Sequence, residues 1–175
     1  MRAVAVAAEA DAGRSAAAVR IEWLGDVPQH IRVLADWHVR AFAEVVSGWQ
    51  VDAAERELLA HARRRALPTT LVAVDGDAAL GSVSLLDSDR PAPDHYAPWL
   101  GTLYVRPEAR RRGVGAQLVR AAVAEAARLG IPSLRLWTPK HAAFYARIGW
   151  RSLGRHRFGG VDATLMQYDR TAAAQ

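Results

Sequence analysis

Two glycines one residue apart, Gly113 and Gly115, follow three consecutive arginines and stand where a helical pattern begins. Apolar or alanine residues recur after them at positions 114, 118, 122, 126 and 129, which is helical spacing. The first N–H groups of a helix have no internal partner, and glycine places no side chain in front of them. The spacing therefore predicts an anion site at the helix start, and phosphate is the anion best suited to it.

The elements that position this loop are a strand before it and the helix that it opens. Residues 99–105 have strand character, and Pro107 cannot continue a sheet ladder. The helical pattern ends at Gly130 and Pro132. The loop lacks the Gly-Lys-Ser/Thr of a nucleoside triphosphate site, and no acidic residue at Rossmann spacing follows on a second strand.

The remaining patterns predict an α/β (α+β) chain. The predicted strands are 19–23, 71–74, 78–86, 99–105, 134–137, 150–158 and 161–168, and the predicted helices are 28–46, 52–67, 114–129 and a short one that carries Phe144 and Tyr145. Asp52 with Glu55 three residues later predicts a capping box at the start of the second helix. The arginines at 63–65 are expected in its last turn, where positive charge is favourable.

Length and composition limit the kind of protein. We expect 175 residues to form one domain at 19–170, with a flexible leader at 1–18 and a flexible tail at 171–175. No long uninterrupted apolar window predicts a membrane span, and the absence of cysteine fits a cytoplasmic protein. The net charge of +5 favours anionic ligands, but no aromatic residues interleave with the arginine clusters, so no specific nucleic acid partner is expected.

Two motifs in this order resemble the GNAT superfamily of acyl-CoA-dependent N-acetyltransferases. Residues 110–115, Arg-Arg-Arg-Gly-Val-Gly, resemble that family's Arg/Gln-x-x-Gly-x-Gly/Ala loop, and residues 144–150, Phe-Tyr-Ala-Arg-Ile-Gly-Trp, resemble its Phe-Tyr-x-x-x-Gly-Phe/Trp signature. By motif, the resemblance covers about residues 69–168. It implies a mixed, largely antiparallel sheet of about seven strands flanked by helices, in which strands four and five splay to admit CoA.

The resemblance also implies a reaction and a cofactor site. The reaction is transfer of an acetyl group from acetyl-CoA, as co-substrate, to a primary amine, with no metal. The loop would hold the pyrophosphate and strand four the pantetheine. The implied cofactor-binding residues are Leu103, Tyr104, Val105, Arg110, Arg111, Arg112, Gly113, Val114, Gly115 and Ala116.

Tyr145 is the catalytic residue that the resemblance implies. From spacing alone it is an aromatic that packs beside Phe144, whereas the family pattern gives its hydroxyl the role of general acid to the leaving thiolate. Without cysteine no acetyl-cysteine intermediate can form, so the amine is expected to attack directly in a ternary complex.

The general base is not given by the family pattern. Many relatives carry a glutamate on strand four where this chain has Trp99. His95 or Asp94, in the loop before that strand, is the first candidate for a base, and Asp87 and His141 are further candidates. Each is also a residue type common in loops and at helix starts.

Several alternatives remain open from the sequence. The acceptor is a small-molecule or peptide amine of unknown identity, and four tryptophans are candidates either for its cleft or for core anchors: Trp23, Trp37, Trp49 and Trp99. A catalytically silent acyl-CoA-binding sensor of the same fold is the main alternative function, and a basic nucleic-acid-binding domain is a second. Family members are frequently homodimers, which leaves a homodimer open here.

Overall fold

A computed structural model describes residues 19–89 and 92–170 of the chain. The leader expected at 1–18 and the tail expected at 171–175 lie outside these described residues. Within the described ranges every predicted strand and helix is present, although several boundaries differ.

The strands form one seven-stranded sheet. They are β1 Arg20–Trp23, β2 Thr69–Asp75, β3 Ala78–Leu86, β4 Trp99–Val105, β5 Ser133–Thr138, β6 Arg151–Phe158 and β7 Val161–Asp169. Their order across the sheet is β1-β2-β3-β4-β5-β7-β6, and all neighbours are antiparallel except β4 and β5. The sheet is therefore mixed and largely antiparallel, which confirms the predicted fold class.

In the described part of the chain four α-helices flank the sheet: α1 Ile31–Phe42, α2 Val51–Ala60, α3 Val114–Arg128 and α4 Ala142–Arg147. α1 and α2 pack on one face, where Leu34 and Leu58 join Val72 of β2. α3 packs on the other face, where Leu118 joins Leu71. Leu71 and Val72 are consecutive and belong to different clusters because successive side chains of a strand point to opposite faces. None of the helices within the described ranges is long and apolar enough to cross a membrane.

The predicted capping box at α2 is wrong. Gln50 is the N-cap residue and makes no side-chain cap hydrogen bond. Asp52 and Glu55 instead accept hydrogen bonds from Arg32 of α1, at 3.3 and 2.7 Å. A contact between the two helices has thus replaced the local pairing that the sequence pattern predicts.

The first two helices are also shorter than predicted. α1 ends at Phe42 rather than near residue 46, and α2 ends at Ala60, so the arginines at 63–65 follow the helix and do not lie in its last turn. One of them, Arg64, forms an ion pair with Asp26. Helical spacing does not mark the residue at which a chain must turn toward the next element, which explains the error.

Strand β4 is irregular at its centre. Thr102 has a φ of 45°, and the register with β3 shifts beside it. This conformation is unfavourable for a β-branched residue, so its surroundings must hold it. The Thr102 hydroxyl donates to Ser84 Oγ at 2.8 Å, Ser84 Oγ lies 2.8 Å from Thr70 Oγ1, and Thr70 Oγ1 lies 3.3 Å from His61 Nδ1. All four of these residues are buried: His61, Thr70, Ser84 and Thr102.

Strands β4 and β5 meet at a single paired position. Trp99 pairs with Arg135, and the Arg135 N–H donates to the carbonyl of Pro98 at 3.1 Å. The parallel ladder does not continue, although β4 runs on to Val105 and β5 to Thr138. The two strands therefore separate toward their C-terminal ends, which is the predicted splay.

Candidate active site

The loop between β4 and α3 has the geometry of an anion site. Arg111 and Gly113 both adopt left-handed φ angles, 66° and 77°. Gly113 is the N-cap residue of α3, and the N–H of Gln117 donates to its carbonyl at 3.0 Å. The N–H groups of residues 114–116 precede that first helical hydrogen bond and stand at the positive end of the helix dipole. Such an arrangement suits a phosphate.

Gly115 allows α3 to begin close to its neighbours. A Cβ atom at this position would lie 3.6 Å from the Phe144 ring and 3.7 Å from Val105 Cγ2. A methyl group would just be in contact, and a larger side chain would not fit without movement. Phe144 belongs to α4 and Val105 ends β4, so the loop is packed against elements on both sides of the splay.

The three cofactor-binding candidates on β4 face in two directions. Leu103 and Val105 belong to the core cluster under α3. Tyr104 points to the α1 side, where its ring centroid lies 5.4 Å from that of Trp37. The guanidinium carbon of Arg110 lies 5.9 Å from the Tyr104 ring centroid. Side chains of β4 thus belong to the core, while its backbone runs along the splay.

The loop arginines differ in their surroundings. The Nε of Arg110 donates to the carbonyl of Val105 at 2.9 Å, which fixes this half-buried side chain. Arg112 lies 3.6 Å from the carboxylate of Asp75, and Arg111 is exposed. Within residues 19–89 and 92–170, Arg110 forms no ion pair. Arg110 is therefore the best fixed of the three loop cations, and its charge is not neutralised by an ion pair among the described residues.

Tyr145 is buried in α4. It is 1% exposed, and its ring packs 5.0 Å from Phe144 and 5.8 Å from Trp150. Burial raises the pKa of its phenol well above the ordinary value, so the hydroxyl stays protonated at neutral pH. Because an ordinary thiol has a pKa of only about 8.5, complete proton transfer from this phenol to a thiolate is unfavourable. The environment suits a hydrogen-bond donor better than an acid that ionises.

The first candidates for a base lie in the turn before β4. Asp94 and His95 belong to a 3-10 turn at Asp94–Tyr96, and His95 is exposed with its ring 4.2 Å from that of Tyr96. Tyr96 in turn meets Trp99 edge-on at 6.1 Å. Trp99 is fully buried, so the start of β4 carries a packed indole and no carboxylate at this position.

His141 lies on the opposite side of the splay. It is the N-cap residue of α4, and its N–H donates to Thr138 Oγ1 at 3.1 Å. Partial burial, followed by the charges of Lys140 and Arg110, lowers the pKa of its imidazole. His141 is therefore neutral at neutral pH and able to accept a proton. Asp87, by contrast, is exposed just after β3.

One buried carboxylate, Asp89, is absent from the sequence-based candidates. It is fully buried, and its Oδ2 accepts a hydrogen bond from Trp137 Nε1 of β5 at 2.9 Å. The Trp137 ring packs 5.4 Å from Phe158. An aspartate in a polar loop is ordinarily exposed, so no sequence signal marks this one.

A cavity of about 670 Å³ opens between α1 and the turn after β4, and we call it the α1 cavity. Its lining residues are Trp37, Arg40 and Ala41 of α1, Tyr104 of β4, and Arg106, Pro107, Glu108 and Arg110 of the turn. Of the four tryptophans considered for an acceptor cleft, Trp37 lines this space. No group of three or more His, Asp or Glu side chains in the described part of the chain is arranged to hold a metal ion.

Comparison with known protein families identifies the family of this chain. Residues 31–150 match the family described as the Acetyltransferase (GNAT) family. The chain belongs to the GNAT family. The matched span includes both motifs, at 110–115 and 144–150, so the resemblance read from the sequence is confirmed.

The individual proteins to which this GNAT protein is similar match over part of their length or at low sequence identity. A mycothiol acetyltransferase from Mycolicibacterium gilvum (strain PYR-GCK) is 43% identical over 79 residues, which is 45% of this chain and 23% of that protein. The match thus spans under a quarter of that relative's length. A GCN5-related N-acetyltransferase from Kribbella flavida superposes with a TM-score of 0.67 at 20% identity, over 87% of this chain and 98% of that one.

A second solved structure is yncA from Salmonella typhimurium, which contains its cofactor acetyl-CoA. It superposes with a TM-score of 0.66 at 19% identity, over 87% of this chain and 94% of that one. At such identities the likeness of these structures establishes the shared fold.

Proposed function

We propose that this GNAT protein transfers the acetyl group of acetyl-CoA to a primary amine. The observation that carries the proposal is that the open N–H groups at the start of α3 adjoin the β4 edge, which beyond Trp99 has no partner strand in the described part of the chain. A ligand that suits both has phosphates at one end and amides along its length. Acetyl-CoA has a pyrophosphate and a pantetheine arm with two amides.

Each part of the site has a binding role in this proposal. Backbone groups of Leu103, Tyr104 and Val105 bind the pantetheine amides. The pyrophosphate is bound by the loop that comprises Arg110, Arg111, Arg112, Gly113, Val114, Gly115 and Ala116, with the backbone N–H groups as main donors. Among its arginines Arg110 contributes most, because the carbonyl of Val105 fixes its guanidinium, whereas Arg111 is exposed and Asp75 neutralises part of the charge of Arg112.

The chemical step is direct attack within a ternary complex. The amine nitrogen forms a bond to the thioester carbonyl carbon, and the carbon–sulfur bond then breaks with its electron pair on sulfur. Tyr145 donates a hydrogen bond to the leaving thiolate, in keeping with the raised pKa of its buried phenol. The chain has no cysteine, so the acetyl group cannot rest on a thiol of the protein.

The proton that the amine loses goes to a base at the start of β4. We assign this role to His95 or Asp94, because their turn packs through Tyr96 onto Trp99, the residue at the position of the usual glutamate. His141 is the alternative, since it is neutral at neutral pH. The acceptor is a small-molecule or peptide amine.

Isothermal titration and initial-rate kinetics test this function together. We expect acetyl-CoA to bind, a panel of primary amines to release thiol, and rates measured over both substrates to give intersecting lines. Parallel lines would contradict the ternary complex. Binding without turnover across the panel would support a silent acyl-CoA sensor instead.

A further inference from the structure

The α1 cavity contains side chains that the proposed cofactor contacts do not use. Trp37, Arg40 and Ala41 stand three and four residues apart and therefore share one side of α1. The small side chain of Ala41 leaves space between the two larger ones. Helix α1 thus presents an aromatic ring and a guanidinium to a cavity whose opposite wall is the turn that leads into the phosphate loop.

Positive charge predominates around this cavity. Among the described residues, three guanidiniums line it, from Arg40, Arg106 and Arg110, against one carboxylate, Glu108. Arg106 lies 3.0 Å from Glu108, and Arg40 lies 3.0 Å from Asp36. The Arg40 side chain is 76% exposed, and exposed ion pairs contribute little to stability. An incoming anion can therefore recruit Arg40 at little expense to the fold.

The floor of the cavity is aromatic. The rings of Trp37 and Tyr104 lie 5.4 Å apart, and the guanidinium of Arg110 is held over Tyr104 by its bond to the carbonyl of Val105. The cavity thus combines an apolar floor with a rim of cations, one of which is fixed in advance. The ligand chemistry that fits is an organic group that carries an anion.

We propose that the α1 cavity binds a phosphate-bearing part of the acyl-CoA, and that Arg40 is a phosphate ligand on α1, opposite Arg110. This inference rests on the proposed function. A carboxylate on the acceptor has the same chemistry, but the cavity adjoins the turn at 106–110, whereas the acceptor-side candidates Asp94 and His95 precede the other end of β4.

Titration of CoA, dephospho-CoA and pantetheine into four proteins tests the assignment. The proteins are the wild type, Arg40→Gln, Arg40→Lys and a control, Arg120→Gln, which removes an exposed guanidinium of α3 away from the cavity. Arg40→Gln should weaken CoA binding roughly tenfold, as expected for one lost charge-assisted hydrogen bond. Pantetheine, which has no phosphate, should bind all four proteins alike, and Arg40→Lys should recover part of the affinity.

If Arg40→Gln weakens CoA binding, dephospho-CoA shows which phosphate of CoA Arg40 contacts. If Arg40→Gln leaves its affinity unchanged, Arg40 binds the 3′-phosphate that dephospho-CoA lacks. If its affinity falls as much as that of CoA, Arg40 binds the pyrophosphate. A cavity-filling variant, Ala41→Leu, should also weaken CoA binding, with thermal unfolding and near-UV circular dichroism to show that both variants are folded.

Three outcomes overturn the inference. One is wild-type affinity of folded Arg40→Gln for CoA. A second is an equal loss of affinity for pantetheine and CoA, which would exclude a phosphate contact. The third is an Arg40→Gln protein that binds CoA as the wild type does but has a raised KM for a carboxylated amine, such as arginine, and not for its decarboxylated analogue, agmatine. That result would assign the cavity to the acceptor. Failure of the wild type to bind CoA at all would refute the proposed function as well.

Discussion

The two ends of strand β4 are built differently. At its C-terminal end, consecutive residues form the candidate anion site from backbone N–H groups and glycine conformations. At its N-terminal end, the surroundings come from side chains distant in sequence, as in the hydrogen bond between Asp89 and Trp137, 48 positions apart. A site made by local backbone geometry can be read from residue spacing, whereas a site made by side chains from several elements depends on the whole fold.

Tyr145→Phe should have the largest effect on activity. It tests whether Tyr145 acts in the chemical step and not in the binding of CoA. The substitution keeps the buried ring and removes the hydroxyl, so the fold and CoA affinity should be retained. We expect kcat to fall by roughly 10²- to 10³-fold through loss of a donor to the leaving group. Tyr168→Phe is the matched control, since its ring lies 5.6 Å from Trp150 in the same aromatic group. An unchanged kcat in Tyr145→Phe would remove the residue from the mechanism.

Paired histidine variants decide which side of the splay holds the base. Loss of the base should lower kcat/KM at neutral pH by roughly 10²-fold, and we expect this for His95→Ala rather than for His141→Ala. Asp94→Asn tests the other residue of the same turn. The readout is the pH profile of kcat/KM for each variant.

The shape of the profile gives an independent check. If His141 is the base, its lowered pKa means that activity persists below pH 6.5, the ordinary histidine value, and is lost only at more acidic pH. An acidic limb that is the same in wild type and in all three variants would place the base elsewhere.

A pair of glycine variants tests the backbone nature of the C-terminal end. Gly113 and Gly130 stand at opposite ends of α3 with φ angles of 77° and 74°, and alanine at either would be similarly strained. Each alanine should reduce the free energy of unfolding by about 1 kcal/mol. Only Gly113→Ala should also weaken CoA binding, roughly tenfold, because the strain distorts the N–H groups of the loop. Equal affinities in the two variants would contradict the backbone site.

An effect on stability, with no effect on activity, is expected under β3, the strand next to β4. His38 is buried with its Nε2 2.9 Å from Ser82 Oγ, and burial lowers its pKa from 6.5 to about 3. Below pH 6.5 the imidazole of His38 binds a proton in the unfolded chain but not in the folded chain. The stability present above pH 6.5 is therefore lost as the pH falls from 6.5 toward 3, at up to roughly 1.4 kcal/mol per pH unit.

His38→Gln should flatten this acid-side slope in urea titrations at several pH values. His61, with a pKa lowered to about 4 by burial and then by nearby positive charges, should keep part of the slope in the variant. A slope identical to that of the wild type would show that His38 does not set the acid sensitivity.

The parts that sequence predicts well are those with a short-range cause. The period of α3, the Asp75-Gly76 hairpin and the Gly113–Gly115 spacing each depend on neighbouring residues, and all are present in the structure. Asp89, by contrast, is bound by a partner 48 positions away. The α1 cavity joins residues of α1 to a turn more than sixty positions later, and no local periodicity signals such a meeting. The prediction of a capping box was wrong for the same reason, because Arg32 on another helix donates hydrogen bonds to the carboxylates of Asp52 and Glu55.

The single pairing of Trp99 with Arg135 has a consequence for how the molecule unfolds. Strands β1 to β4 and strands β5 to β7 are each continuous ladders, and these two units share one backbone rung together with the buried side chains of the core under α3. A ligand whose amides bind the open edge of β4 adds rungs between the units. Amide hydrogen exchange should then slow across β4 and β5 together, and thermal unfolding should become sharper as well as higher in temperature.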